Sequence, residues 1–487
     1  MIPFGPLAPD AGDTTPGILT VANGVLPLRE GYAPAPALST QPGAEALPDD
    51  PRGIVSLVLN DGTWKVYAFT AGDWYSLDAD YGWTSLTGDF ACPDGDDWSR
   101  LHFGSYLLGT NTVDGLQAYN VETPAGFTHI TDAGDPRFVF TSSNFVIGLD
   151  CKDESGTRNN RLIKTSGFND HTNWKTDGAD NQPLADGGAL VFGADLKANS
   201  ALVLQERAIR IMQFGDVGGG AQFSLQKLSD GVGSVGAKSC VAFDGAVYWI
   251  ATDGFRKFSL AAGLETIGAG FVDDWFLTTA DQGQLAQIQG AIDPLRKMVW
   301  WRFPRAGAES DTVFNDLIGY SWVWKRWVTA SQTTAYLSQV ATPGVVLDNM
   351  ESYGDIDGIE IPLDSRFWLG GQPLFAALDA DYKFSTFAGG NQTARFTTSI
   401  ANNPVTGLIG WATPIDDAAN GTLELGTTDQ LANPIVWQTA ASKVRNGSVP
   451  LRGRGLNIAF RYNIAAGETW SYAKGIDHVR AASGGPK

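Results

Sequence analysis

Histidine and cysteine, the side chains most often used for metal binding and nucleophilic catalysis, are scarce in this chain. None of its four histidines stands in an HExxH motif or beside a cysteine; they are His102, His129, His171 and His478. The three cysteines form no CxxC pair; they are Cys92, Cys151 and Cys240. An odd number of unpaired cysteines is typical of free thiols in a protein assembled in a reducing cytoplasm. The sequence therefore predicts neither a zinc site nor any other cofactor site.

Adjacent carboxylates are numerous and suggest acid–base chemistry at first sight. Examples are Asp96-Asp97, Asp273-Asp274 and Asp416-Asp417. Glycoside hydrolysis needs two carboxyl groups roughly 5–10 Å apart across a cleft, whereas neighbouring side chains on a strand point to opposite faces. We therefore predict that these pairs cap turns or lie in solvated loops. The segment from Asp355 to Glu360 matches a calcium loop only in part, because it lacks the third early ligand and the twelve-residue spacing.

Other chemical motifs are missing from the sequence, and the charge is strongly acidic. No GxSxG, no GxxxxGK[ST] and no GxGxxG after a strand occurs. The formal net charge is −19, which disfavours a phosphate-binding surface but suits a conduit along which DNA slides without sticking. Basic residues cluster locally in WKRW (324–327), where we predict a cation–π contact, and in LRGR (451–454).

The elements that must position any site form a repeat. An apolar strand, a Gly/Asp turn and an aromatic-rich strand return about every 40–50 residues, as in GIVSLVLNDGTWKVYAF (53–69) and GAVYWIATDGFRKFSL (245–260). Periods of that size with several short strands are typical of propeller blades. Several repeats end on an aromatic residue for which we predict packing between blades: Trp83, Phe127, Trp174, Phe223 and Trp327. The repeat favours an all-β propeller over a compact single-site enzyme.

The repeat also predicts the domain organisation. Residues 1–52 are rich in Pro and Gly and predict an extended arm. Residues 53–340 contain six clear repeats, so we predict a propeller of about six blades; five or seven remain open, because Ala335 to Phe387 would add a blade or close the ring. Residues 341–487 alternate like an antiparallel sandwich, and we predict a C-terminal β-domain that includes any ring-closing strand segment.

Several stretches carry a resemblance to a known family. They are NGVLPLREGYAPAP (23–36), LIKTSGFNDHTNW (162–174), RAIRIMQF (207–214), LIGYSWVWKRW (317–327) and PLDSRFWLGG (362–371). In this order they resemble bacteriophage and prophage neck and tail proteins, the propeller-bearing nozzle or head-completion component of short tails. The chain departs from larger family members by lacking a large inserted platform domain, which leaves both a distal nozzle and an internal neck ring open.

The resemblance implies a non-enzymatic virion protein that is assembled in the host bacterial cytoplasm. Six copies would form a ring below the portal and adaptor, dock other tail proteins, and retain and guide genomic DNA that passes through without sequence-specific binding. The Pro-rich arm would strap one subunit to the next. For LRGR (451–454) two interpretations stay open: a contact between subunits or with partners, and a solvated turn. We accordingly predict assembly contacts at Arg29, Tyr32, Arg452 and Arg454.

Two alternatives from other function classes remain open. A propeller polysaccharide depolymerase, either a glycosidase or a lyase, would need carboxylates and histidine converging at the mouth of the channel. A carbohydrate-binding receptor adhesin would need exposed aromatic platforms instead. No run approaches the roughly 18 apolar residues of a membrane span, and the N-terminus has no basic flank before an apolar core. We therefore expect neither membrane insertion nor a signal peptide.

Overall fold

The computed structural model describes residues 1–60, 64–78, 80–215, 222–307, 313–341, 373–402 and 408–482. These residues are almost entirely β-strand and turn, as the alternating apolar pattern predicts. Within them the only α-helix is the short α1 (Asp273–Thr279). The fold combines a β-propeller with a C-terminal β-domain.

The first 52 residues contribute short strands to three different sheets. These strands are β1 (Ile2–Pro3), β2 (Leu19–Asn23), β3 (Val25–Pro27), β4 (Tyr32–Pro34) and β5 (Ser39–Thr40). This differs from the predicted extended arm, because the segment is paired inside its own subunit. Proline tolerates such positions, since the ends and edges of sheets leave backbone N–H groups unused.

The first three blades are four-stranded antiparallel sheets formed by consecutive strands. Blade 1 contains β6 (Gly53–Val58), β7 (Trp64–Phe69), β8 (Trp74–Leu77) and β9 (Trp83–Ser85). Blade 2 contains β10 (Ser99–Phe103), β11 (Tyr106–Asn111), β12 (Gly115–Asn120) and β13 (Phe127–His129). Blade 3 contains β14 (Phe138–Ser142), β15 (Phe145–Lys152), β16 (Arg158–Thr165) and β17 (Asp180–Pro183).

Blades 4 to 6 repeat the same arrangement. Blade 4 contains β18 (Leu190–Lys197), β19 (Ser200–Gln205), β20 (Ala208–Phe214) and β21 (Phe223–Asp230). Blade 5 contains β22 (Val241–Phe243), β23 (Ala246–Ala251), β24 (Gly254–Ser259) and β25 (Gly263–Thr266). Blade 6 contains β26 (Gln289–Asp293), β27 (Met298–Phe303), β28 (Phe314–Ser321) and β29 (Arg326–Thr334). The predicted Asp-Gly hairpin of blade 5 has positive φ at both Asp244 (50°) and Gly245 (77°).

A seventh blade closes the ring. It contains β30 (Tyr336–Ala341), β31 (Pro373–Leu378), β32 (Phe384–Thr386) and, as its outer strand, β5 from the N-terminal segment. Its inner strand β30 packs against β6 of blade 1 and β26 of blade 6. The described residues thus form seven blades, one more than the six repeats counted in the sequence. The difference arises because the seventh blade joins strands from both ends of the chain.

The five aromatic residues predicted to pack between blades do so. Phe127 of blade 2 contacts Trp74 of blade 1 edge-on, with 4.8 Å between ring centroids. Phe223 contacts Phe145 of blade 3 at 5.2 Å. The other three, Trp83, Trp174 and Trp327, lie in apolar clusters shared by adjacent blades. Each aromatic pair adds about 0.5–1.5 kcal/mol beyond its buried area, so the blades are held as a rigid ring.

The C-terminal domain is a two-sheet sandwich built with strands of the N-terminal segment. Its own strands are β33 (Ala394–Thr398), β34 (Ala401–Asn402), β35 (Leu408–Asp416), β36 (Thr422–Thr428), β37 (Val436–Trp437), β38 (Ala441–Ser442), β39 (Val449–Arg454), β40 (Asn457–Ile464) and β41 (Ala473–Ala482). One sheet has the order β3-β4-β41-β35-β39, and β1 also pairs with β41. The other runs β2-β33-β40-β36, and the short strands β34, β37 and β38 pair with its last two strands. Phe4 stacks on Phe396 at 4.5 Å in the core.

Strand β2 joins the sandwich to the propeller. It pairs in parallel with β29 of blade 6 at Asn23 and Thr329, and antiparallel with β33 on its other side. The result is one hydrogen-bonded sheet from β26 through β36. The predicted boundary at residue 340 divides blade 7, whose second and third strands follow it. Ring-closing strands do lie in the range 341–487.

Candidate functional site

The seven inner strands surround a central cavity of about 890 Å³. Apolar residues from every inner strand line it, namely Ile54, Leu101, Val139, Val191, Val241, Ile292 and Leu337. All inner strands of a propeller run in the same direction, so the residues that precede them meet at one end of the cavity. Polar residues concentrate at this end, which makes it the best candidate for a functional site.

A loop from Pro93 to Asp97, which we call the crossing loop, spans this end of the cavity. It enters blade 2, yet Asp97 forms an ion pair of 2.9 Å with Lys238, which lies in the turn before the inner strand of blade 5. The Gln287 side chain, just before the inner strand of blade 6, donates to the carbonyl oxygen of Gly95 at 3.5 Å. Blades 2 and 5 are not neighbours in a ring of seven, so the Asp97–Lys238 pair reaches across the cavity.

The local sequence explains the shape of the crossing loop. A turn is closed by the backbone N–H of Asp96, which donates to the carbonyl of Pro93 at 3.1 Å. Gly95 takes a left-handed conformation with φ of 80°, which a residue with a Cβ adopts only with strain. Arg52, which directly precedes the inner strand of blade 1, holds the loop in place, because its guanidinium donates to the carbonyl of Asp96 at 3.2 Å. The turn therefore delivers Asp97 to the centre of the ring.

Asp97 also belongs to a relay that includes blade 7. The Tyr336 hydroxyl donates to Asp97 Oδ2 at 2.9 Å and accepts from the Arg100 guanidinium at 3.2 Å. Burial raises the pKa of Tyr336 well above its usual range, although the Arg100 charge opposes this, so the phenol stays neutral. Nearby, Arg137 donates to Asp96 at 2.7 Å. These acids and bases satisfy one another and clamp the loop in place.

Besides Lys238, the buried cation Arg302 of blade 6 lies near Asp97 and Tyr336. The Arg302 side chain donates to the side-chain oxygen of Gln289 and to the carbonyl of Thr334, and it stacks on Phe314 at 4.6 Å. Burial lowers the pKa of Arg302 to about 10, and the charge of Asp97 partly opposes this effect. The guanidinium is therefore charged at neutral pH and adds positive potential behind the crossing loop.

The histidines and cysteines are dispersed. His129 contacts Asp135 at 2.9 Å, and His171 is buried against the ring of Tyr106 at 4.3 Å. His102 is exposed on β10, and His478 belongs to β41. All three cysteines are free and buried, and burial raises the pKa of each thiol to about 12. Among the described residues, no group of three or more His, Cys, Asp or Glu side chains could hold a metal ion.

The prediction that the carboxylate pairs cap turns or lie in solvated loops agrees with the exposed Asp417 but is wrong for Asp273 and Asp416, whose side chains are buried. Asp417 accepts from the backbone N–H of Ser471 at 2.8 Å, and buried Asp273 accepts from that of Phe255 at 2.9 Å. Asp416 forms an almost fully buried ion pair with Lys443. The prediction is also wrong for Asp97, which is mostly buried and joins blades across the cavity. The segment from Asp355 to Glu360, which matches a calcium loop only in part, lies outside the described residues.

The four predicted assembly residues have different surroundings. Tyr32 is fully buried, and its hydroxyl donates to the carbonyl of Gly5 at 2.6 Å inside the same subunit. It therefore stabilises the sandwich core instead of reaching another subunit. Arg29 is exposed in the turn between β3 and β4. Arg452 and Arg454 are exposed on β39, the last strand of its sheet.

The predicted cation–π contact of WKRW involves a distant ring. Arg326 lies 5.0 Å from the Tyr32 centroid, and it donates to the carbonyls of Leu28, Gly31 and Phe4. Nothing in the sequence marks Asp97, Lys238 and Tyr336 as a unit. Their shared feature is position, since Asp97 and Lys238 lie shortly before inner strands and Tyr336 begins one.

The similarity of this chain to known proteins lies in structure, at low sequence identity. No family model matches the chain, and no curated protein matches it. Streptogramin B lyase is similar in structure, with a TM-score of 0.41, 14% identity, and coverage of 72% of this chain and 97% of that one. A quinonprotein alcohol dehydrogenase-like protein from Bacteroides thetaiotaomicron has a TM-score of 0.34 and 14% identity over 57% of this chain and 67% of that one. The N-terminal domain of Nup159 has a TM-score of 0.32 and 10% identity over 69% of this chain and 75% of that one.

No helix in the described part of the chain is long and apolar enough to span a membrane. The sheet topology by itself shows that the chain is an all-β protein whose main body is a β-propeller.

Proposed function

We propose that this protein is a structural component of a phage neck or tail, a nozzle or head-completion ring. The proposal starts from the sequence resemblance, and the observation that best supports it is the interlocking of the two domains. The N-terminal segment supplies the outer strand of blade 7, the strand between blade 6 and the sandwich, and two strands beside β41. Such a body resists force, because the propeller and the sandwich separate only if paired backbone is broken.

Contacts at the junction support a load-bearing role. The guanidinium of Arg326 binds three carbonyls of the N-terminal segment at 2.9–3.1 Å. Asn23 donates to the hydroxyl of Thr329 at 3.1 Å beside the parallel bridge. One apolar core continues from blades 5 and 6 into the sandwich. A rigid wedge of this kind suits a ring that withstands the pressure of packaged DNA without a hinge.

The charge fits the same role. A net charge of −19 repels phosphate, so DNA passes an acidic wall without being held. In this proposal six copies form the ring around the DNA path, below the portal and adaptor. The ring docks other tail proteins, and each subunit's own cavity, bridged by the crossing loop, is not the DNA path. The protein acts mechanically, in the virion, after assembly in the bacterial cytoplasm.

The test is to locate the protein in the particle. Antibodies raised against the purified chain should label the neck or tail of virions from the phage or prophage that encodes it, in electron micrographs of intact and gently disrupted particles. Antibodies preadsorbed with the purified protein are the control. Unlabelled virions, together with release of oligosaccharides from capsular polysaccharide by the purified chain, would overturn the proposal in favour of a depolymerase. Binding to polysaccharide without cleavage would favour the adhesin.

A further inference from the structure

An exposed basic and aromatic surface lies where blade 6 meets the sandwich. It consists of Arg29, Val323, Trp324, Lys325 and Lys474, and we call it the Trp324 patch. Val323 and Trp324 are each 43% exposed, although most large apolar residues nearby are buried. Exposed Trp and Arg side chains are enriched at protein interfaces.

The three segments that carry the patch are held together by specific contacts. Arg326, directly after the exposed hairpin, donates to the carbonyls of Leu28 and Gly31 on either side of Arg29. The same guanidinium donates to the carbonyl of Phe4, whose N–H donates to the carbonyl of Lys474 at 2.8 Å. The backbone segments under the patch are therefore held in fixed positions and need little reorganisation when a partner binds.

The cations of the patch have no anionic partner among the described residues. The recorded ion pairs do not include Arg29, Lys325 or Lys474. The Lys474 ammonium lies 5.4 Å from the Tyr472 ring, and no such contact is recorded for the other two. Three unpaired cations lie on segments that meet at Arg326, and Glu30, beside Arg29, is an exposed carboxylate in the same turn, so the patch is basic on a chain with a net charge of −19. The patch is complementary to an acidic surface.

This chain itself carries a suitable acidic surface at the seam of blades 7 and 1. Its exposed carboxylates are Glu45, Asp49, Asp78, Asp80 and Asp381. Backbone hydrogen bonds hold the three segments side by side, from Glu45 to Tyr81 at 3.1 Å and from Leu47 to Tyr382 at 3.0 Å. The recorded ion pairs leave all five carboxylates without a cation. Because the two surfaces involve different blades, a contact between them joins unlike faces of two copies.

We infer that the Trp324 patch of one subunit binds the blade 7/1 acidic surface of the next subunit. The inference rests on the proposed ring, and it names the contact that forms it. A contact between unlike faces is heterologous, and heterologous contacts generate closed rings when the rotation fits. Trp324 and Val323 would provide the apolar centre, and the three cations would fix the register.

Duplex DNA is a less suitable occupant of the patch. Strong binding to phosphates takes about six to ten neutralised charges and follows a row of cations along the backbone. The patch has three cations, and its centre is an exposed hairpin tip that carries Val323 and Trp324. Removing this apolar surface from water is favourable, and another protein surface would cover it more completely than a phosphate backbone would.

Charge reversal in solution tests the contact. Under conditions in which the wild type forms rings, the variant Arg29→Glu/Lys325→Glu should associate at least tenfold more weakly, as measured by sedimentation velocity. Glu45→Lys/Asp80→Lys should be weakened similarly, and the variant with all four changes should recover assembly, because the two surfaces are again complementary. The control Arg207→Glu/Arg445→Glu alters net charge as much as the first variant at two exposed arginines for which no ion pair is recorded, and it should assemble normally.

The outcomes separate this inference from the proposed function. Normal assembly of Arg29→Glu/Lys325→Glu, or no recovery of assembly in the fourfold variant, would overturn the inference. The proposed function would remain supported in that case, provided that the wild type forms rings. A wild type that stays monomeric even with neck and tail components would overturn the proposed function itself. If Arg29→Glu/Lys325→Glu still formed rings but no longer bound a 30-base-pair DNA duplex that the wild type binds, the patch would be a DNA contact and the inference would be overturned. Equal melting temperatures for all variants exclude misfolding as the cause.

Discussion

Asp97 offers the sharpest test of how the propeller is held together. Its carboxylate pairs with Lys238 and accepts from Tyr336, so it bonds to two blades across the cavity. The side chains of Asp97 and Lys238 are only 15% and 16% exposed. Replacing one member of a buried ion pair leaves the other charge unpaired, which costs about 3–5 kcal/mol. We expect Asp97→Ala to reduce the free energy of unfolding by that amount.

The assay is urea unfolding followed by tryptophan fluorescence. The double variant Asp97→Ala/Lys238→Ala should recover about 1–3 kcal/mol, because it no longer holds an unpaired buried ammonium. Asp94→Ala is a matched control in the same loop. It removes an ion pair with Arg52, but the Asp94 side chain is fully exposed, so no measurable change is expected. A cost below about 1 kcal/mol for Asp97→Ala would refute the argument that the crossing loop joins the blades.

Three further predictions follow from burial and topology. Burial raises the pKa of Asp273 from 3.8 to about 6, a difference worth about 3 kcal/mol, so the folded state holds this proton more tightly than the unfolded state. As pH rises from about 4 to 7, the free energy of unfolding of Asp273→Asn, measured with urea, should therefore increase by about 3 kcal/mol relative to that of the wild type. A difference between the two proteins that does not change with pH would contradict this. The pKa of all three buried thiols is raised to about 12, so DTNB should label them only after denaturation, and rapid labelling of the native protein would disagree. Deleting residues 1–40 removes the outer strand of blade 7 and the strand that joins both domains; it should lower the melting temperature and expose the propeller to limited proteolysis, and unchanged melting would refute the interlocking.

Much of the propeller follows from local sequence signals. Alternating strands such as Trp64–Phe69 and Asp-Gly turns such as Asp244-Gly245 specify hairpins without reference to distant residues. The aromatic residues that end the repeats were predicted to lie between blades, and they do. These features depend on neighbours within one blade or the next, so their pattern is visible along the chain.

The seventh blade and the N-terminal segment were harder to predict because their partners are distant in sequence. Ser39 and Thr40 pair with Thr386 and Ser385, more than 300 residues away. The Pro-rich segment from Asn23 to Pro36 has the composition of an extended arm, and short edge strands have the same composition. Tyr32 illustrates the consequence: its position in the arm predicts a contact with another subunit, whereas the fold places it in the core.

The candidate site was only partly accessible to sequence reasoning. Asp96 and Asp97 stand out as an adjacent pair. The predicted turn agrees with Asp96, whose N–H closes it, but Asp97 is mostly buried and pairs across the cavity. The partners Lys238 and Tyr336 carry no motif, since they meet Asp97 only through ring closure. Likewise the Trp324 patch depends on three segments brought together by Arg326. Pairing across a closed ring leaves no signal in local spacing.

The central claim, a ring that serves as a conduit, is tested most directly by the mass of the assembly. Light scattering and negative-stain imaging of the purified protein, alone and mixed with neck or tail components, would measure it. A conduit protein is expected to form a ring of six subunits, alone or on the partner, with a central opening wide enough for duplex DNA. A persistent monomer that ignores these components would contradict it.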